Sequence, residues 1–137
     1  MDNVRIAVKA FTVKDGKALI LKRRPNDVHK PAEWDIPGGR LDLGEDPIKG
    51  VEREAEEEIG IDIDILLPIE IQHFTRDDGQ IITMIIFLCK PLTDDIKLSE
   101  EHTEFKWLDI NEQRDEFPEW MNSVIDNMLK YKLDEHI

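Results

Sequence analysis

The sequence predicts an α/β domain, with strands and two helices layered around one sheet. Three observations carry that reading. Apolar residues alternate along segments that flank two Asp-Gly turns, one helix is capped at both ends, and a second amphipathic segment lies near residue 120. The 137 residues suit one domain, residues 1–137, which can bury a core without disulfide or metal staples.

Val4 to Val13 alternates as a strand and could serve as a sheet edge. The Asp15-Gly16 pair in "KDGK" is a two-residue hairpin signal, because both residues tolerate positive φ. Ala18 to Arg24 returns as a strand with apolar residues on both faces, so both faces should be buried. Pro25 to Pro31 is a loop, and "DIPGGRL" is a break with a short extended piece. Pro47 suits the first turn of a helix, Asp46 is a good N-cap and Gly60 a C-terminal stop. Ile48, Val51, Ala55 and Ile59 then form one apolar stripe on a helix over residues 47–59. Ile61 to Phe74 and Gln80 to Lys90 read as two long strands joined at "RDDGQ". "EFKWLDI" is a short strand. Pro118 to Lys132 is a second helix, with Trp120, Val124, Met128 and Tyr131 at near-helical spacing.

The net charge of −13 argues against coating nucleic acid or an anionic membrane, both of which are polyanions. It allows a small phosphorylated ligand if cations are supplied locally. Cys89 is the single cysteine, so a disulfide framework is excluded and a buried thiol is expected. No signal-peptide pattern opens the chain, and no apolar run nears the roughly 20 residues that span a bilayer. A soluble, cytoplasmic protein is the expectation.

The segment "GGRLDLGEDPIKGVEREAEEEIGI" crowds five glutamates into residues 52–58. At about 100° per residue, Glu54 and Glu58 lie one turn apart on a flank of the apolar stripe, with Glu57 beside them. Glu52 and Glu56 point to solvent. Like charges at this spacing repel by a few tenths of a kcal/mol per pair. The ridge is either a solvated acidic face or a site for a hard divalent cation, which prefers clustered carboxylate oxygens. Arg53 is four residues before Glu57 and within reach of Glu45.

The framing of these residues resembles the Nudix box. Gly39, Glu45, Arg53, Glu54, Ala55, Glu57, Glu58, Gly60 and Ile61 stand at its fixed offsets, over residues 39–61. "WDIPGG", "LKRR" and "EHTEFKW" are similar to their counterparts in MutT-like Nudix hydrolases. The resemblance covers about residues 3 to 110. It implies a Nudix-type α/β/α sandwich with a mixed β-sheet and a loop-helix-loop catalytic motif. It also implies a pyrophosphohydrolase that cuts a phosphoanhydride in a nucleoside triphosphate or another nucleoside diphosphate linked to a group X.

The resemblance further implies Glu54, Glu57, Glu58 and the backbone carbonyl of Gly38 or Gly39 as ligands to Mg²⁺, with Mn²⁺ as an alternative. Arg53 would orient a ligand glutamate, with Glu45 holding Arg53 and Gly60 closing the helix. A general base would be a box glutamate or a loop carboxylate, for which Glu101 is the candidate and Glu100 and Glu104 its rivals. Arg24 is the candidate phosphate contact. Trp34 and Phe74 are either core residues or platforms for a nucleobase. His73 and His102 lack companions at zinc-ligand spacing, and neither is assigned a metal.

The tyrosine of diadenosine polyphosphate hydrolases, the proline of many ADP-ribose hydrolases, and the coenzyme A and NADH signatures are missing after the box. What remains is a resemblance to the generic MutT-like group, which implies nucleoside triphosphates as the common substrates. The alternatives are a hydrolase of ADP-ribose or a nucleotide sugar, and a Nudix-fold module that senses a nucleotide without cutting it. Expected partners are a small-molecule nucleotide and, for a homodimer rather than a monomer, a second copy; nucleic acid and membrane are not expected.

Overall fold

A computed structural model describes residues 3–137. Its strands are β1 (Val4–Lys14), β2 (Lys17–Arg23), β3 (Trp34–Asp35), β4 (Gly38–Arg40), β5 (Ile63–Thr75), β6 (Ile81–Pro91) and β7 (His102–Asp109). The helices are α1 (Pro47–Ile59) and α2 (Asn122–Lys130). The strands run in the order β3-β2-β1-β6-β5, with β4 also paired to β1 and β7 to β2. The sheet is mixed, because β1 and β6 are parallel while the other pairs are antiparallel.

β1 is not an edge. It pairs with β6 from Val4–Ile81 to Thr12–Cys89, and its other side is taken by β4 and β2. A parallel pair needs a long crossover, so nothing local in the sequence reveals it. β1 and β2 pair only beside their turn, at Val13–Ala18 and Lys14–Lys17. Beyond it they diverge, and β4 lies beside β1 at Ala7, Val8 and Lys9. This divergence opens the sheet where the functional residues gather.

Alternation sends side chains to two cores. Ala7, Phe11, Ala18 and Ile20 pack with Val124, Ile125 and Met128 of α2. Val8, Ala10, Leu19 and Leu21 pack with Val51, Ala55 and Ile59 of α1. The result is an α/β/α sandwich in which β2 is buried on both faces, as its apolar run predicts. Cys89 is buried and free.

The second helix is shorter than its periodicity suggests. Glu119–Met121 is a 3₁₀ turn, and Tyr131 follows the helix, mostly exposed. Ile48 is also exposed, at 42%. The buried stripe of α1 is Gly50, Val51, Ala55, Glu58 and Ile59. β7 starts at His102, two residues before the predicted strand.

Both ends of α1 are fixed by local chemistry. Asp46 accepts from the N–H groups of Ile48 and Lys49, Pro47 occupies the first turn, and Gly60 is left-handed with φ 69°. A Cβ at Gly60 would be strained by that conformation and would stand 3.3 Å from Lys97 Cβ. Gly60→Ala should destabilise the protein by about 1–2 kcal/mol, measured by urea denaturation. A loss below 0.3 kcal/mol (roughly the error of such a comparison) would show that the cap relaxes freely.

Candidate functional site

Arg53 is anchored to Glu45 by two parallel hydrogen bonds, Nε to Oε2 at 2.8 Å and Nη2 to Oε1 at 2.9 Å. Glu45 reaches Arg53 because Gly50 leaves room. A Cβ on Gly50 would stand 2.2 Å from Leu41 Cδ2 and 3.3 Å from a Glu45 oxygen. The remaining nitrogen, Nη1, touches Glu54 at 3.2 Å and Glu57 at 3.2 and 3.4 Å. These longer contacts show the hierarchy: Arg53 is held by Glu45 and steadies two further carboxylates at arm's length. Its hydrogen bonds with Arg53 pull the Glu45 carboxyl down to about 2. Arg53→Lys should lose the planar fork and cost about 10–100-fold in any activity that uses Glu54 or Glu57. Circular dichroism and the melting temperature should stay near wild type. An activity within threefold of wild type would remove Arg53 from the site.

The three glutamates of the predicted ridge do not meet at one point. Glu54 and Glu57 lean on Arg53, whereas Glu58 turns inward and accepts the Gly38 N–H at 2.6 Å. Glu58 is 3% exposed, and burial pushes its carboxyl up to about 9, against the pull of Lys9 and the Gly38 N–H. Burial raises Glu54 as well, with Arg53 opposing. Glu52 and Glu56 are exposed, as helical geometry predicts.

The glycine pair sets the distance between β4 and α1. Gly38 has φ 153°, and a Cβ there would sit 2.1 Å from the Val8 carbonyl oxygen. A Cβ on Gly39 would sit 2.9 Å from Glu54 Oε1. A side chain at Gly39 would push that carboxylate out of its place.

Of the three loop carboxylates, Glu101 alone lines the cavity next to this cluster. Glu104 pairs with Lys22 at 3.4 Å instead. One ligand atom each of Glu58, Glu101 and His102 lie within 4.8 Å of one another. His102 carries no sequence signal for this. Its neighbours are set by the β2–β7 register, which pairs it with Arg23.

The cavity has a volume of about 560 Å³, within the usual range for a small-molecule site. Five cationic side chains line it: Lys9, Arg23, Lys30, Arg40 and Arg76. Four carboxylates, Asp35, Glu54, Asp77 and Glu101, line it too, so in a chain of net charge −13 the cations bring this wall close to neutral and ease the approach of an anionic ligand. Of the neighbouring arginines at the end of β2, Arg23 lines the cavity and Arg24 does not. A register shift between Lys22 and Arg23 breaks the alternation that sequence reading relies on. Arg24 is tied through its backbone, donating its N–H to the Glu101 carbonyl at 2.9 Å.

Arg23 and Lys9 share Asp35. Lys9 Nζ lies 3.2 Å and Arg23 Nη1 3.3 Å from Asp35 Oδ2, and the Ile36 N–H donates to Oδ1 at 2.8 Å. Burial alone would raise the Asp35 carboxyl. Lys9, Lys30, the Ile36 N–H and Arg23 together hold it below the usual carboxylate range.

The two aromatic candidates separate. Phe74 is 40% exposed and lines the cavity. Trp34 packs against the core, with Lys106 Nζ 4.4 Å from its ring centroid.

The donor set fits a divalent cation. Glu54 and Glu58 are poorly solvated carboxylates that a nearby cation would stabilise as anions, and β4 approaches them without a side chain in between. Among the described residues, no helix is long and apolar enough to cross a membrane.

The family model for the NUDIX domain matches residues 3–128. The chain belongs to the Nudix family. It is 33% identical over 104 residues to a MutT-like protein of Streptomyces ambofaciens, covering 75% of this chain and 62% of that one. It is 34% identical over 61 residues to the 8-oxo-dGTP diphosphatase of Escherichia coli (strain K12), covering 44% of this chain and 46% of that one. Among solved structures, the MutT protein from Methanosarcina mazei Go1 superposes with TM-score 0.81 at 26% identity, covering 94% and 95% of the two chains. The chain spans less than two thirds of the length of these two curated relatives.

Proposed function

We propose that this chain is a divalent-cation-dependent pyrophosphohydrolase that cuts a phosphoanhydride in a nucleoside triphosphate or another nucleoside diphosphate-X compound. The observation that carries the reading is the intact Glu45–Arg53–Glu54–Glu57 network, set beside a cavity whose wall mixes five cationic side chains with four carboxylates. Fold alone would not support it.

Glu54, Glu57, Glu58 and the Gly39 carbonyl are the groups that would hold Mg²⁺ or Mn²⁺. A divalent ion there supplies positive charge against the phosphate oxygens and makes water more acidic. Arg53 keeps two of the carboxylates in place. Arg23 and Lys9, fixed on Asp35, present N–H donors to the anionic part of the substrate. Phe74 offers an apolar face for the base. Glu101, exposed at the cavity wall, takes the proton from the attacking water.

The substrate class rests on the same cations and on the relatives. Their names include 8-oxo-dGTP diphosphatase, bis(5'-nucleosyl)-tetraphosphatase of Rattus norvegicus and ADP-ribose pyrophosphatase of Methanocaldococcus jannaschii. What these substrates share is a phosphoanhydride next to a nucleoside. The deciding experiment is a phosphate-release screen over nucleoside triphosphates, nucleotide sugars, ADP-ribose and dinucleoside polyphosphates, with Mg²⁺ or Mn²⁺. Hydrolysis of at least one class, abolished by EDTA, is expected. Saturable nucleotide binding with no hydrolysis of any class would favour the sensing module instead.

A further inference from the structure

His102 begins β7, and its side chain has no exposed surface. Neither ring nitrogen has a hydrogen-bond partner among the described residues. A buried imidazole with both nitrogens unmet loses its hydration for nothing. Its Nε2 lies 3.9 Å from Glu58 Oε1. That is too long for a hydrogen bond, yet it suits two ligands that share one ion. Donors each about 2.1 Å from a common cation stand roughly 3–4 Å apart. Glu101 brings a third donor, and all three atoms fall within 4.8 Å of one another. The Gly38 N–H occupies Glu58 Oε2 and leaves Oε1 turned to this group.

We propose that His102 Nε2 is a nitrogen ligand, beside Glu58 and one Glu101 oxygen, to a divalent ion at the active site, and that it biases the site toward Mn²⁺ over Mg²⁺. The proposal rests on the hydrolase reading above. Mg²⁺ takes oxygen ligands in a strict octahedron, whereas imidazole favours first-row transition metals. An all-carboxylate site would show less preference. Glu101 has two oxygens, so one can serve the ion while the other faces the cavity and the water.

The test is electron spin-echo spectroscopy on the intact protein loaded with Mn²⁺, without nucleotide. Wild type should show ¹⁴N modulation from an imidazole, and the pattern should change when histidine is ¹⁵N-labelled. The signal should survive His29→Gln and vanish in His102→Gln. By calorimetry, His102→Gln should weaken Mn²⁺ binding at least tenfold and Mg²⁺ binding less than threefold. Absence of imidazole coupling in wild type overturns the proposal, whether or not His102→Gln folds, and leaves only water to meet the ring nitrogens. Equal losses for the two metals also overturn it. If coupling is absent while cation-dependent hydrolysis persists, only the His102 assignment falls. If neither metal binds, the assignment and the hydrolase reading fall together.

Discussion

Glu54→Gln should lower cation-dependent hydrolysis by about 10²–10³-fold, while the melting temperature stays within a few degrees of wild type. The charge, not the shape, is what the change removes. Glu54 is partly buried, lies against the bare backbone of Gly39, and is steadied by Arg53 at 3.2 Å. Glutamine keeps the volume and an acceptor oxygen for Arg53. It loses the anion that a divalent ion would bind. Stability should hold, because burial already disfavours the charged carboxylate, an effect that Arg53 opposes without cancelling. Measured kcat at saturating Mg²⁺ is the readout. A variant that retains more than a tenth of wild-type activity would move the essential carboxylate elsewhere on the helix. Glu56→Gln is the control, since Glu56 faces solvent, and it should be silent.

Asp35→Ala should destabilise the fold by about 3–5 kcal/mol, because it leaves two cations facing each other in a buried wall. For a domain of this size that is roughly 10–20 °C in melting temperature. Among the described residues the ion pair of Lys9 is with Asp35, while Arg23 keeps Asp27 at 2.7 Å. Removing the stranded charge should therefore recover part of the loss. The double variant Asp35→Leu with Lys9→Met is expected to regain more than half of it. A single-variant cost under 1 kcal/mol would mean that water already solvates the pair.

The same carboxylates set the acid limit of the fold. Asp35 and Asp27 both titrate below their ordinary value. In each case burial works against the cationic partners and the backbone N–H groups, and loses. A depressed folded-state pKa gives stability that is fully present above the unfolded value, near 3.9. That stability is lost as pH falls through the folded value. The unfolding free energy should thus drop steadily below about pH 4. Asp27→Asn should flatten that drop.

The local elements were legible because their signals are local. Asp46, Pro47 and Gly60 mark both ends of α1 within a single stretch of chain, and the box offsets are distances along one helix. Asp15-Gly16 and Asp78-Gly79 mark turns that need positive φ, which Gly16 and Gly79 adopt. The exposure of Glu52 and Glu56 followed from helical angle alone.

Direction was not legible. Sequence spacing puts Glu54, Glu57 and Glu58 on one flank, but partners from elsewhere decide where each carboxylate points. Glu45 holds Arg53 near Glu54 and Glu57, and the Gly38 N–H draws Glu58 inward. The bulge in β2 exchanged Arg24 for Arg23 at the cavity. Phe74 lines the cavity because it stands near the tip of the β5–β6 hairpin, where Thr75, Arg76 and Asp77 line it as well.

By itself the sequence determined the family, the capped helix and the set of carboxylates, since short-range hydrogen bonds and backbone conformation fix these within a few residues. Only the tertiary structure decided that β1 is central, that Lys9 and Arg23 share Asp35, and that His102 sits beside Glu58 and Glu101. Those relations run across strand registers between residues up to 92 positions apart, from Lys17 to Asp109. Each is settled by which pairing buries the most apolar surface with every backbone group bonded, a property of the assembled sheet and not of any one segment.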